Sequence, residues 1–198
     1  MRAFDLAQLN VGRLVAAEDS PVVAEFIEAL DEINALAEAW PGFVWRFQTD
    51  DGNAIAERPF PDDALMLVNF STWESLEALA DYVFRSRHAD FLRRRREWFQ
   101  HLEETVTVLW WVPVGHRPTS AEAVARLDHL RRHGPTSHAF TFRGRFEPDG
   151  GEAVPSDLLP LGPPVDDPAH PADGTFDAAG IDDVDGDRDT DAVLDQSL

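Results

Sequence analysis

The chain contains no cysteine and no lysine; all seventeen of its basic residues are arginine. Without cysteine, a disulfide framework, a thiolate metal site and a cysteine nucleophile are all excluded. The missing lysine points to GC-rich coding rather than to a physical need, because arginine and lysine differ only where forked hydrogen bonding or stacking is used. Also missing are a charged-then-apolar leader and an apolar run of eighteen residues, so the expectation is a cytoplasmic protein with no membrane partner. There is no glycine-rich phosphate loop, no G-x-S-x-G elbow and no dinucleotide fingerprint.

Charge is distributed unevenly over the 198 residues, whose formal net charge is -20. Residues 147–198 hold fifteen acids against Arg188 alone, and six prolines between Pro155 and Pro171. This composition cannot bury enough surface to offset the entropy of ordering, so a disordered acidic tail at 147–198 is expected beside one folded domain at 1–146. Within the tail, "DDVDGDRDTD" suggests calcium, but counting from Asp183 the sixth position is Arg188, where an EF-hand loop needs glycine. The remaining twenty-two acids outnumber sixteen arginines in the domain itself. That balance disfavours nucleic acid as a partner, since phosphate affinity rests on a net basic surface.

Periodicity sets out the elements of the domain. "AFDLAQLNVGRL" at 3–14 alternates as a strand, with Phe4, Leu6, Gln8 and Asn10 on one face and Ala7, Leu9 and Val11 on the other. Ser20 and Pro21 suit a helix start, the apolar stripe Val22, Phe26, Leu30, Ile33, Ala37 and Trp40 continues it, and Pro41-Gly42 ends it. "FVWRFQ" places Phe43, Trp45 and Phe47 on one side of a second strand and Val44, Arg46 and Gln48 on the other. "ALMLVNFS" at 64–71 is a third strand, apolar on both faces. A helix capped by Ser71 or Thr72 then runs to Phe99, with a break near Arg85 to Arg87. "TVTVLWWVPVG" at 105–115 is a strand with Trp110 and Trp111 on opposite faces. A helix from a Ser120 cap to Gly134 and a short strand in "AFTFRGRF" complete the order.

The order β-α-β-β-α-β predicts an α+β fold, a ferredoxin-like antiparallel sheet with helices on one face. Its other face carries Leu9, Val11, Val68 and Phe70. An uncovered apolar face is a pairing surface, so a homodimer with sheets packed face to face is expected.

The most unusual segment is "FRSRHADFLRRRREWFQH" at 84–101, with four consecutive arginines. On one continuous helix at about 100° per residue, His88, Phe91, Leu92, Arg95, Phe99 and Leu102 share a stripe with Trp98 at its edge. Arg93, Arg94 and Arg96 fan outward, where Asp90, Glu97, Glu103 and Glu104 make a solvated ion-pair face. Arg95 then points inward and needs a carboxylate such as Glu74 or Glu77, a C-terminal carbonyl, or a ligand. His88 is either a histidine satisfied by backbone, a general base, or a haem ligand. No second histidine lies three or four residues from it and no acid-rich constellation appears, so a non-haem metal is not expected. Asn10, Asn69 and Gln8 are amides inside apolar strands that must find partners, either one another or a substrate. Of the aromatic residues Trp45, Trp73, Trp98, Trp110 and Trp111, Trp98 is placed at a pocket mouth; His116 belongs in an exposed loop.

The ordered segments "LAQLNVGRL", "PGFVWRFQ", "MLVNFSTWESLEAL", "FRSRHADFLRRRREWF" and "LWWVPVGHRPTSAEAVARLDHLRRHGPT" resemble an uncharacterised bacterial family, the domain of unknown function DUF3291, related to the antibiotic-biosynthesis monooxygenases of the dimeric α/β-barrel superfamily. The similarity covers residues 3 to about 146 and leaves out the tail. It implies a protomer with a small-molecule pocket between sheet and helices, pairing into a barrel. Relatives of the fold include cofactor-free oxygenases of aromatic polyketides, haem enzymes, isomerases and plain ligand binders, so the site has to choose.

The expectation drawn from both lines is a homodimeric monooxygenase-like enzyme acting without metal or flavin on a flat aromatic or polyketide-type substrate. His88, Arg95, Asn69 and Asn10 form its catalytic set, and Trp98, Trp45, Trp110, Phe91 and Gln8 its substrate contacts. The alternatives are a haem enzyme with His88 as axial ligand, a proton-transfer isomerase or cyclase, and a non-catalytic ligand-binding dimer.

Overall fold

A computed structural model describes residues 2–151, and the tail beyond them, with its calcium-like run, lies outside the described residues. The order is β1 (Phe4–Arg13), α1 (Ala24–Ala39), β2 (Phe43–Arg46), β3 (Met66–Trp73), α2 (Leu76–Arg85), α3 (His88–Arg94), a 3-10 turn (Arg95–Glu97), β4 (Thr107–Pro113) and α4 (Ser120–His133). The four strands form one sheet in the order β2-β3-β1-β4, every neighbouring pair antiparallel. This is the α+β, ferredoxin-like arrangement that the element order predicts. No helix among the described residues is long and apolar enough to cross a membrane.

Alternation along β1 divides the core in two, as expected. Leu6 faces α1 and α2 with Trp73, Leu79, Tyr82 and Val83, while Ala7, Leu9 and Val11 face the opposite side with Val68, Phe70, Val108 and Trp110. That opposite side is not bare. Helix α4 lays Ala123, Leu127 and Leu130 across it, and Leu9, Val11, Val68 and Phe70 are all buried within the single chain. The four residues expected to form a pairing surface are therefore already covered within the single chain.

Four local departures from the expected elements have physical causes. Between Phe43 and Trp45 the register against β3 shifts by one residue, so β2 carries a bulge at Val44. Phe43 packs on Trp73 at a ring separation of 5.3 Å, whereas Trp45 and Phe47 pack on Phe70 across the sheet, at 6.0 and 4.6 Å. Phe43 and Trp45 thus lie on opposite faces, and Arg46, opposite Ser71, turns toward the helices. Strand β3 stays paired with β1 as far as Trp73, so the α2 cap is Ser75, whose hydroxyl accepts from the Ala78 N–H at 3.2 Å, and not Ser71 or Thr72. Helix α1 starts at Ala24, after a turn in which Ser20 Oγ accepts from the Val22 N–H at 3.3 Å, because Val23 is buried against Leu14, Trp98 and Phe99. The strand expected in "AFTFRGRF" reduces to a bridge between Phe140 and Leu109.

The arginine segment departs most. The expected break occurs at Ser86, whose Oγ donates to the Tyr82 carbonyl at 2.6 Å and accepts from the His88 N–H at 3.0 Å. The helix then stops at Arg94. Val15 N–H donates to the Trp98 carbonyl and Gln100 N–H to the Arg13 carbonyl, and Phe99 bridges Leu14, so this stretch is tied to the end of β1. A continuing helix would forfeit those bonds.

Gly42 closes the turn from α1 to β2 at φ +84°, and a Cβ there would lie 2.5 Å from the Ala78 Cβ. Gly42→Ala should lower stability by roughly 2–4 kcal/mol, combining left-handed backbone strain with overpacking. A urea melt with the midpoint reduced and the slope unchanged is the expected result.

Candidate functional site

A cavity of about 90 Å³ lies between α1, the helix-facing side of the sheet, α3 and the loop at 53–55. The sheet supplies its polar floor. Asn10, 1% exposed, stands opposite Asn69 on β3 and Thr107 on β4. Its Nδ2 donates to Thr107 Oγ1 at 2.9 Å, and its Oδ1 has no partner although it is fully buried. The amide's donor is thus spent on Thr107 and its acceptor is not. Asn69 also lines the cavity but is exposed, which puts the mouth on that side. Thr72 Oγ1, the other buried oxygen without a partner, sits on the α4 face.

The apolar end is aromatic. Phe26, Phe91, Trp98 and Phe99 line it, with Trp98 at 5.9 Å from Phe26 and 5.8 Å from Phe91 by ring centres. His88 joins the same wall, 6% exposed and 4.9 Å from the Tyr82 ring. Its Nδ1 lies 3.3 Å from the Val83 carbonyl. A carbonyl only accepts, so this contact places a proton on Nδ1.

Five of the nine expected site residues therefore meet at one cavity: Asn10, Asn69, His88, Phe91 and Trp98. Four do not. Arg95 is half-buried at the first position of the 3-10 turn and donates from Nη1 to the Leu92 carbonyl at 2.8 Å. Burial and the neighbouring Arg96 hold its pKa below the usual arginine value. Of the four arginines it is the one that is not exposed, yet its partner is a C-terminal carbonyl and it lies outside the cavity. Arg94 is the one that stacks on Trp98, at 4.9 Å, while forking onto Glu25 at 2.6 and 2.7 Å and onto Glu97. Those bonds hold both carboxyls below their usual range. Together with Arg93 on Asp90 they form the expected ion-pair face. Gln8 spends its Nε2 on Ser71 Oγ at 3.0 Å, which also accepts from Trp73 Nε1 at 2.8 Å. Trp110 faces α4 with its Nε1 on Glu122, and Trp45 packs on that same face.

Three polar residues line the cavity that sequence reasoning missed: Arg46, Asn34 and Asn53. Arg46 comes inward because of the bulge, and the signal for it is absent from the alternation pattern. Asn34 and Asn53 complete a set with a simple signature: the chain has four asparagines in all, and every one lines this cavity. No aspartate or glutamate is among the described lining residues. His116, as expected, is an exposed loop residue, its Nε2 2.7 Å from Glu122.

Comparison with known proteins adds family membership. The family described as a domain of unknown function (DUF3291) matches residues 5–156, and the chain belongs to it. No curated protein matches. Among solved structures, the chain is similar to a protein of unknown function from Nitrosomonas europaea, at 11% identity and a TM-score of 0.38, covering 60% of this chain and 97% of that one. It is also similar to a hypothetical Arabidopsis thaliana protein solved in solution, at 19% identity and a TM-score of 0.33, covering 61% and 94%.

Tyr82, the only tyrosine of the chain, packs behind the cavity against Trp73 at 5.1 Å and donates to the Ile33 carbonyl at 3.3 Å. Burial pushes its pKa well above the ordinary 10.0, and the nearby Arg46 charge opposes this only in part. A raised folded-state value means that the unfolded chain ionises first, so stability is whole below pH 10 and is lost as pH rises above it. Alkaline titration should show tyrosinate absorbance only together with loss of the near-UV circular dichroism. Ionisation near pH 10 in the folded protein would contradict the burial.

Proposed function

We propose that this family member binds a compact, flat, mostly apolar molecule bearing a phenolic or enolic hydroxyl that donates to Asn10, and that His88 takes a proton from a carbon activated by the same ring. The carrying observation is the buried, unpartnered Oδ1 of Asn10 on the wall of a cavity lined mainly by apolar and aromatic side chains. Leaving such an acceptor unmet costs about 1–3 kcal/mol, which a ligand hydroxyl would recover. The unmet atom accepts rather than donates, so Asn10 fits a hydroxyl better than a ketone. Enclosed space of about 90 Å³ is far below the roughly 300–1,000 Å³ of pockets that take drug-sized ligands. It limits the enclosed part of the ligand to about one ring, with any remainder leaving past Asn69. A haem does not fit that space.

The chemistry follows from the two residues. His88 takes one hydrogen of a ring-activated methylene as a proton, and the negative charge spreads over the flat ring in a water-poor cavity. With dioxygen as co-reactant, that methylene becomes a carbonyl. One oxygen atom enters the product, and the other leaves as water with the two hydrogens. No metal, flavin or external reductant is needed for this balance, which makes the reading a monooxygenase-like one.

Two probes test it. 4-Methylphenol should quench tryptophan fluorescence with an affinity about tenfold above that of its methyl ether, the worth of one hydrogen bond to a buried acceptor. In Asn10→Ala the two should bind alike. In deuterium oxide, 4-hydroxyphenylacetone should exchange its methylene hydrogens faster with the wild type than with His88→Gln. Equal binding of phenol and ether, or exchange that is unchanged in His88→Gln, would overturn the proposal. Once a turnover substrate is found, product formation that continues unchanged without dioxygen would remove the oxygenation step.

A further inference from the structure

Arg46 puts a cation on the cavity wall. Its side chain is only 11% exposed, and one of its five N–H donors, at Nε, reaches Glu38 Oε1 at 2.8 Å. Neither Nη group donates to any described residue, so both stay open to further acceptors, from water or from a ligand. Glu38 cannot supply them: it sits at 48% exposure and engages the Nε edge. In a chain of net charge -20, this wall holds a permanent cation and no described carboxylate. Every group around it that could compete with an incoming anion is a neutral amide or an aromatic ring.

From this, and resting on the hydroxyl site proposed above, we infer that the ligand is a hydroxy acid: its hydroxyl meets Asn10 and an anionic group, a carboxylate or its equivalent, is gripped by the Nη fork of Arg46. Sheet geometry sets the spacing. Arg46 lies opposite Ser71 and Asn10 opposite Asn69, on one face, two strands and two residues apart. Ordinary sheet spacing puts their Cα positions about 12 Å apart. Side chains on one face of a sheet stand roughly perpendicular to it, so the Arg46 fork and the Asn10 amide stay about that far apart, a gap that a single ring with polar groups at opposite ends can bridge. The mouth at Asn69 lies on the strand between them.

The test compares 4-hydroxybenzoate with 4-methylphenol, which differ by a carboxylate in place of a methyl group, by fluorescence titration of the full chain. The wild type should bind the acid about tenfold or more tighter, as expected for a charge-assisted fork. In Arg46→Gln the ratio should fall to near one. Glu38→Gln breaks the same ion pair from its other side but keeps the cation, so the preference for the acid should survive there. If Glu38→Gln loses the preference as fully as Arg46→Gln, the arginine acts through its ion pair and the inference fails. If 4-methylphenol binds in the Asn10-dependent manner but the acid binds no better, the Arg46 assignment is overturned and the hydroxyl site stands. If neither probe binds the wild type, both are overturned together.

Discussion

The structure depends on the burial of β1. Lying between β3 and β4, paired over eight positions on one side and seven on the other, it has no edge open to water. Its side chains are buried from Asp5 to Val11. Two amides, Gln8 and Asn10, therefore enter a water-poor layer under α1 and α2 and must be met by the strands beside them or by something that binds there. At Gln8 the sheet leaves no buried polar atom unmet, the amide Nε2 donating to Ser71 Oγ. Two residues further on it meets the demand only by half, through Thr107. The site begins at that difference.

Much of this was legible in the sequence wherever period-two alternation held without interruption. The two faces of β1, the opposite placement of Trp110 and Trp111, and the strand-helix order that gives β2-β3-β1-β4 all follow from it. So does the meeting of Asn10 with Asn69, since amides on like faces of paired strands become neighbours. His88 and Phe91 reached the cavity for a related reason, a helical stripe read from a segment that is helical over 88–94. Beyond Arg94 that reasoning lost its basis. Tertiary bonds from Trp98 and Gln100 to the end of β1 outweighed helix propensity, and the angle assigned to Arg95 no longer described its direction.

The two errors of greatest consequence share one origin, interactions between parts of the chain far apart in sequence. One inserted residue at Val44 reverses every side chain after it, which sends Trp45 to the α4 face and Arg46 to the cavity. A bulge leaves no mark in composition or hydropathy. Likewise, nothing in the pattern of α4 says which face of the sheet it will cover, yet its docking changes the apolar back from an interface into a core. The inward cation inferred from "RRRR" exists, but in β2 rather than in that run.

A structural account of the amides has to explain why they gather. Four asparagines spread over residues 10 to 69 come from β1, α1, the 49–55 loop and β3, elements with no local reason to share a residue type. Asn53 has a turn to hold, its Oδ1 accepting from the Ile55 N–H at 3.0 Å, and so has a purely local use. Asn10 has none: a valine there would remove the unmet oxygen and suit β1 at least as well. Stability alone therefore favours losing Asn10, and the aromatic wall beside it would pack more closely without a cavity. An acceptor kept where folding gains nothing from it, in a space kept open where packing would close it, is what a ligand-binding floor requires. The absence of carboxylates from the wall of so acidic a chain extends the same reasoning from the hydroxyl end of the ligand to its charge.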